Sequence, residues 1–236
     1  MKRYALVWCS ENNNLDYREL MVEEFRHDSE VWDILTPLDP ELISKAQSYD
    51  GFIISGSEKS VVDDVKTHFV SRLLEFLRTI KTSTKAPIVG ICFGAQALAA
   101  ALGGEVGHNP DQRFRLGVEN LAWSPNAARF PELAAETTCM IVASHGECVN
   151  RLPPGSTVLA ASKTIPHEVF LIDDRFLAIQ GHPEIDGQLL QESFMPLHRP
   201  LFDEQSWQSV MQEAKLPVYR APLIALARRL LEQGRL

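Results

Sequence analysis

The stretch Pro87-Ile88-Val89-Gly90-Ile91-Cys92-Phe93-Gly94-Ala95-Gln96, continued by the apolar run 97–102, decides the fold of this chain. Residues 88–91 are a short apolar run, which is typical of a buried strand in a parallel sheet. From Gln96 to Leu102 the sequence is rich in Ala and Leu and ends at two glycines, which predicts a helix with a glycine stop. The stretch therefore predicts a strand, a tight turn and a helix.

Cys92 stands at the predicted turn between Gly90 and Gly94, whose lack of side chains leaves room for a sharp bend. This is the pattern of a nucleophile elbow, with Cys in the place of Ser. The N-terminus and dipole of the following helix would favour the thiolate form. Cysteine is also among the most buried residue types, so the elbow alone leaves a catalytic thiol and an inert packed thiol equally open.

Composition limits the function classes. The chain has 236 residues, 45% of them hydrophobic and 23% charged, and no linker or internal repeat, so we expect a single domain over 1–236. Its net charge of −8, without a run of Lys or Arg, argues against a nucleic-acid partner. The uncharged stretch 86–104 contains a proline and several glycines, and its helical part is too short to cross a membrane. We therefore expect no nucleic acid and no membrane among the partners.

The four cysteines, at positions 9, 92, 139 and 148, show no Cys-x-x-Cys spacing. The positions of the cysteines therefore predict neither a zinc site nor a redox dithiol, and we expect no metal and no cofactor. The apolar run near the N-terminus is too short for a signal peptide. Together with free thiols, this indicates a cytoplasmic, reducing compartment.

Strand and helix patterns alternate over the first hundred residues. Buried strands are predicted at 4–8, 31–35, 52–54 and 88–91, and helices between them at 15–25, 40–47 and 65–80. This alternation predicts an α/β fold with a mostly parallel central sheet and helices on both faces. Later short strands, predicted at 118–123, 139–143, 157–161, 169–172 and 176–179, indicate a small antiparallel sheet. In the C-terminal tail, about 187–236, helices are predicted at 204–213 and 222–233.

A thiol nucleophile needs a base, and His182 is the best placed of seven histidines. It follows the apolar run 176–179 and should emerge at the end of a strand. Pro183 favours an extended conformation at His182, which puts Glu184 on the same side, where its carboxylate can accept the Nδ1–H. His145, which also follows a predicted strand, is the alternative base.

Three kinds of site use such residues. An α/β-hydrolase places its acid before the His, whereas Glu184 follows His182. A zinc site would require paired-ligand spacing, which is absent. A Cys-His-Glu triad for acyl transfer fits, and it would attack a carbonyl, form a thioester and release an amine. Its oxyanion hole would use the N–H of Phe93 and the loop Gly56-Ser57, which follows another strand end.

Two motifs, Gly90-Ile-Cys92-Phe-Gly94-Ala-Gln96 and Gln180-Gly-His182-Pro-Glu184, resemble those of the class I glutamine amidotransferase family. The segment 54–57 resembles the oxyanion loop of that family, and 144–147 resembles its third substrate-lining segment. The similarity extends over about residues 4–187. It implies the flavodoxin-like fold of the family, with Cys92 as nucleophile, His182 as base and acid, and Glu184 as orienter. It also implies that a γ-glutamyl head group is held by Gln96 and by the backbone of Ser144, His145 and Gly146.

Two positions depart from the family pattern. The oxyanion loop often reads Gly-Gly-Pro, where this chain has Gly56-Ser57-Glu58. A positive φ at Ser57 would be strained, which puts the identity of the second N–H donor in question. Ala95 replaces the usual Met or His before Gln96, which widens the pocket at that point.

Two branches of the family fit this chain. The segments 2–6 and 50–57 and the single-domain length resemble the stand-alone γ-glutamyl peptidases of plants, whereas 144–147 is nearer to glutaminases that supply ammonia to a synthetase. The favoured interpretation is hydrolysis of a small-molecule γ-glutamyl amide, glutamine included. A glutaminase subunit with a separate synthetase partner and a non-catalytic binding module are the alternatives. Arg113 and Arg115 are candidates either for the amine side of the substrate or for a solvated surface.

Overall fold

The structure is a computed structural model that describes residues 1–11, 15–134 and 137–236. Its strands are β1 (Arg3–Val7), β2 (Val31–Leu35), β3 (Gly51–Ile54), β4 (Ile88–Ile91), β5 (Glu105–His108), β6 (Arg115–Asn120), β7 (Ala122–Trp123), β8 (Met140–His145), β9 (Glu147–Arg151), β10 (Ser156–Ala161), β11 (Val169–Ile172) and β12 (Phe176–Ile179). Its α-helices are α1 (Leu15–Phe25), α2 (His68–Ser83), α3 (Phe93–Ala101), α4 (Gly187–Leu189), α5 (Met195–His198), α6 (Glu204–Glu213) and α7 (Ala221–Gln233). A π-helical turn, Leu190–Phe194, joins α4 to α5.

Eight strands form one mixed sheet in the order β2-β1-β3-β4-β12-β11-β10-β7. The pairs from β2 to β12 are parallel, and the pairs from β12 to β7 are antiparallel. Two smaller antiparallel pairs, β5–β9 and β6–β8, complete the strands. The fold is therefore α/β with a central sheet, as the sequence predicts. Since β3, β4 and β12 are parallel neighbours, their carboxyl ends meet at one edge of the sheet.

Apolar side chains pack against both faces of the sheet. Along β1, Tyr4 and Leu6 pack in the cluster that contains α7, while Ala5 and Val7 pack in the cluster that contains α2 and α3. Successive side chains of a strand point to opposite faces, so a strand covered on both faces is apolar at every position. This explains why the central strands read as continuous apolar runs. Within the described residues, no helix combines the length and apolar character needed to cross a bilayer.

The prediction of a helix at 40–47 is wrong. That segment consists of turns and a short 3₁₀-helix, Ala46–Ser48. The Asp39 carboxylate accepts a hydrogen bond from the Thr36 N–H at 2.6 Å, a local bond that favours a turn over a helix. The prolines at positions 37 and 40 also limit helical hydrogen bonding here.

Other boundaries differ from the predictions. Helix α2 begins at His68 rather than at residue 65, because the Thr67 hydroxyl caps it by accepting from the Val70 N–H at 3.3 Å. Helix α3 begins at Phe93, three residues before the predicted start. The strands β5 and β9 and the helical segment 187–201, which runs from α4 through α5 to a 3₁₀ turn, were not predicted.

Candidate active site

Cys92 lies at the turn between β4 and α3, with φ 51° and ψ −109°. Few non-glycine residues adopt such a conformation, and it persists only where the surroundings enforce it. A Cβ on Gly94 would overlap the carbonyl oxygen of Ile54, and one on Gly90 would lie 2.7 Å from the backbone of Gly94. The Cys92 N–H donates to the Ile179 carbonyl at 2.8 Å. Close packing of α3 on β3, together with this bond to β12, holds Cys92 in the turn.

His182 and Glu184 follow β12, the neighbour of β4. The Nδ1 atom of His182 lies 2.8 Å from Oε1 of Glu184, and both side chains are buried. The His182 N–H donates to the Val142 carbonyl at 2.7 Å. Arg220 donates to the Pro183 carbonyl at 3.0 Å and pairs with Glu24 at 2.6 Å. The His-Pro-Glu turn is therefore fixed both to β8 and, through Arg220, to α1.

The surroundings of His182 raise its pKa. Burial alone would lower the pKa of His182, but the Glu184 carboxylate and the Cys92 sulfur raise it well above its ordinary value. The protonated imidazole is therefore favoured beside the sulfur. A group in this state can stabilise a neighbouring thiolate and give a proton to a leaving amine.

The alternative base, His145, has a different environment. Its ring is buried on β8, with Nδ1 3.2 Å from the amide oxygen of Asn109. Burial and the charge of His182 lower the pKa of His145 to about 3, so its ring is neutral near pH 7. Of the two histidines, it is His182 that the structure joins to an acidic side chain.

The loop after β3 approaches the same place. A Cβ on Gly56 would lie 3.0 Å from Cε1 of His182 and 3.8 Å from Cβ of Cys92. Neither Gly56 nor Ser57 has a positive φ, so the backbone strain that a positive φ would cause at Ser57 is absent. The Ser57 hydroxyl donates to the Cys9 carbonyl at 2.7 Å. Phe93 is the first residue of α3, and an N–H at that position has no acceptor within the helix.

Cys92, His182 and the Gly56-Ser57 loop face a cleft of about 530 Å³. Its walls include Trp8, Tyr17, Ser57, Leu189, Phe194 and Leu197, and Cys92, His182 and Ser144 lie on its surface. Apolar walls with a few polar groups are typical of a small-molecule site.

The other predicted substrate residues do not line this cleft. The buried Gln96 donates from its side-chain amide to the Glu147 carbonyl at 2.8 Å, which joins α3 to β9. His145 and Gly146 also lie outside the lining, so direct contacts of these three with a head group stay predictions. Arg115 pairs with Asp111 at 2.7 Å, outside the cleft.

The parts of the cleft that were missed in the sequence include two that contact His182 or Glu184. The first is the 187–201 segment, which supplies Leu189, Phe194, Leu197 and His198. Apolar residues at 190, 194, 197 and 201 have helical spacing, and the carboxylate of Asp186 caps the Leu189 N–H at 2.8 Å. Prolines at 196 and 200 concealed this signal. The second part is Tyr17 on α1, whose hydroxyl donates to Oε1 of Glu184 at 3.1 Å.

No metal centre is apparent in the described part of the chain, where no three His, Cys, Asp or Glu side chains gather as ligands. The site is thus a cysteine at an elbow, a His–Glu pair and a glycine loop at one edge of an α/β sheet. Comparison with known proteins assigns the chain to a family. The family model for class I glutamine amidotransferases matches residues 13–196, and the chain belongs to that family.

Named relatives include γ-glutamyl peptidases and a GMP synthase. The chain is 31% identical over 183 residues to γ-glutamyl peptidase 4 of Arabidopsis thaliana, which covers 74% of this chain and 70% of that protein. It is 34% identical over 173 residues to the glutamine-hydrolysing GMP synthase of Thermomicrobium roseum, covering 72% of this chain but only 30% of that protein. Among solved structures, a glutamine amidotransferase from Thermotoga maritima matches with a TM-score of 0.71 at 18% identity, covering 99% of this chain and 97% of that one. The last likeness shows the fold alone.

Proposed function

We propose that this protein hydrolyses the γ-glutamyl amide bond of a small molecule through Cys92, His182 and Glu184. The observation that carries the proposal is the position of the Cys92 thiol, in an enforced elbow beside a His182 whose pKa Glu184 helps to raise. Similarity to plant γ-glutamyl peptidases supports the choice of bond. The four free cysteines agree with a cytoplasmic, reducing compartment.

In the proposed reaction, the Cys92 thiolate attacks the γ-carbonyl carbon of the substrate. The N–H groups of Phe93 and of the Gly56-Ser57 loop donate hydrogen bonds to the carbonyl oxygen and stabilise the negative charge that develops on it. Protonated His182 gives its proton to the leaving amine as the carbon–nitrogen bond breaks, which leaves a γ-glutamyl thioester on Cys92. His182 then takes a proton from water, whose oxygen attacks the thioester carbonyl. The tetrahedral intermediate then collapses, glutamate leaves, and the Cys92 thiolate and protonated His182 are restored.

Within this proposal, Ser144 borders the position that the glutamyl head group would occupy. Its carbonyl oxygen is 3.7 Å from the Cys92 sulfur, so the backbone of β8 borders the reacting atom. Gln96 and the backbone of His145 and Gly146 would also help to hold the head group, although none of the three lines the cleft. The apolar side chains of the 187–201 segment line the same cleft, and the amine part of the substrate would pack against them.

A second candidate is a glutaminase that delivers ammonia to a separate synthetase. Similarity to a GMP synthase that is much longer than the matched region favours it, because this chain corresponds to one part of that enzyme. The chemistry at Cys92 would be the same in both cases. The two candidates differ in the leaving group and in the need for a partner.

One assay tests both. Free glutamate is followed for purified protein with glutamine, with glutathione and with a panel of γ-glutamyl amides. We expect Cys92→Ala and Cys92→Ser to lose hydrolysis while keeping the fold, and Cys139→Ala, a buried cysteine outside the cleft, to keep activity. Release from glutamine alone would favour the glutaminase. Failure of the wild-type protein on every substrate, or activity in Cys92→Ala, would refute the proposal.

A further inference from the structure

We propose that Tyr17 is a positioning residue of this site, which holds the Glu184 carboxylate turned towards His182. The inference rests on the function proposed above. The Tyr17 hydroxyl donates to Oε1 of Glu184 at 3.1 Å, and the same oxygen lies 2.8 Å from Nδ1 of His182. One carboxylate oxygen thus accepts hydrogen bonds from both donors, and Tyr17 helps to fix its position beside the imidazole.

The Tyr17 ring is held by aromatic neighbours on two other elements. Trp8, just after β1, packs edge-on at 5.5 Å between ring centroids, and Phe194 of the π-helical turn packs edge-on at 6.1 Å. Edge-to-face contacts at these distances are favourable and limit the rotation of the ring. The hydroxyl therefore reaches Glu184 with little loss of side-chain freedom at the moment of reaction.

Glu184 needs a second donor because it is buried. Its relative exposure is 1%, and Oε2 has no hydrogen-bond partner among the described residues. A buried carboxylate is costly unless hydrogen bonds replace its hydration. Burial and the charge of Glu184 raise the pKa of Tyr17 well above its ordinary value, so the hydroxyl keeps its proton and stays a donor.

Removal of the hydroxyl has a predictable electrostatic consequence. With one donor left, the Glu184 carboxylate is no longer held by Tyr17 and can turn away from His182, which weakens its attraction for the imidazolium. The pKa of His182 would then fall. The titratable and charged groups that face this pair from the surrounding elements are Cys92, Tyr17, His145, Glu168, His198 and Arg220. The substitution Tyr17→Phe removes only the Tyr17 hydroxyl from this set of groups. It keeps the aromatic ring, so the cleft wall stays in place.

The test is a pH profile of kcat and KM for Tyr17→Phe in the full chain, with the γ-glutamyl amide that the wild type hydrolyses fastest. We expect kcat to fall about tenfold, the size of one lost hydrogen bond to a charged group. The alkaline limb should move to lower pH, because His182 must be protonated to give a proton to the amine. KM should stay within about twofold, since the hydroxyl bonds to Glu184 and Phe keeps the ring that lines the cleft.

The matched control is Tyr4→Phe. The Tyr4 hydroxyl is also buried and donates to the Leu231 carbonyl at 2.9 Å, away from the cleft. We expect a loss of stability in Tyr4→Phe with kcat and the pH profile unchanged. A wild-type pH profile in Tyr17→Phe, or a raised KM with unchanged kcat, would overturn the proposal.

A titration of His182 by NMR, in wild type and in Tyr17→Phe, needs no substrate. It therefore tests the role of Tyr17 even if the protein fails to hydrolyse any γ-glutamyl amide. A lower pKa of His182 in the variant supports the inference, and an unchanged pKa overturns it.

Discussion

Glu184→Gln isolates the charge of Glu184 from its shape. Both donors, His182 and Tyr17, bond to Oε1. A glutamine amide oxygen can occupy that position and keep both hydrogen bonds, while the amide nitrogen takes the place of Oε2, which has no partner among the described residues. The substitution thus removes the negative charge beside the imidazole and leaves the ring in its orientation.

The size of the effect follows from the distance. A unit charge about 4 Å from the imidazolium interacts with it by about 4 kcal/mol at an effective dielectric constant of about 20. If the transition state loses the whole of this interaction energy, the rate falls about a thousandfold. The unpaired amide nitrogen adds a cost to stability of about 1–3 kcal/mol. We expect kcat of Glu184→Gln to fall by about a hundredfold to a thousandfold.

The pH dependence gives the direction. Glu184 raises the pKa of His182, so its neutralisation lowers that pKa, and the proton needed by the leaving amine is lost at lower pH. The assay is glutamate release across the alkaline limb, with folding checked by urea titration. Glu132→Gln is the matched control, because Glu132 pairs with Arg229 at 3.0 Å outside the cleft. A Glu184→Gln rate within about threefold of wild type, with an unmoved alkaline limb, would refute the electrostatic role.

Three further predictions concern the surrounding residues. His182→Ala should lower kcat/KM far more than His145→Ala, because His145 bonds to Asn109 rather than to an acid; the reverse order in steady-state assays would make His145 the base. Gly94→Ala should lower the free energy of unfolding by about 3 kcal/mol, since its Cβ would overlap the Ile54 carbonyl; a loss below about 1 kcal/mol in urea titration would contradict this packing. His145 has a native pKa of about 3, below its ordinary value, so the unfolded chain binds the extra proton and stability falls as pH falls through that interval. His145→Gln should reduce this acid-side slope by up to about 1.4 kcal/mol per pH unit, and equal slopes in the two proteins would contradict the assignment.

The central strands could be predicted because each is buried on both faces and so reads as an apolar run. That prediction also placed the site, since the ends of β3, β4 and β12 carry the glycine loop, Cys92 and His182. Adjacent parallel strands bring their carboxyl ends together whatever the order of the chain between them. His182 and Glu184 lie together as predicted, but Pro183 and Glu184 form a turn rather than an extended chain, with the Ile185 N–H bonded to the His182 carbonyl at 3.4 Å.

Other parts of the site depend on contacts that no local pattern reveals. Tyr17 and Glu184 are separated by 167 positions in the sequence, and their hydrogen bond arises only when α1 packs beside the His-Pro-Glu turn. The 187–201 segment contains two prolines, and its π-helical turn departs from the spacing of an ordinary helix. The wrong helix prediction at 40–47 arose from a local pattern rather than from a missing one. A proline followed by an acid is typical of a helix start, but here these residues lie in turns.

The central claim is that Cys92 carries the γ-glutamyl group. The most direct test mixes the protein with a γ-glutamyl amide that it hydrolyses, quenches the reaction in acid within the first turnovers, and measures the mass of the intact chain and of its peptides. The proposed thioester predicts a mass gain of one γ-glutamyl group on the peptide that contains Cys92, absent in Cys92→Ala. An adduct on Cys9, Cys139 or Cys148, or steady glutamate release by Cys92→Ala, would contradict the account.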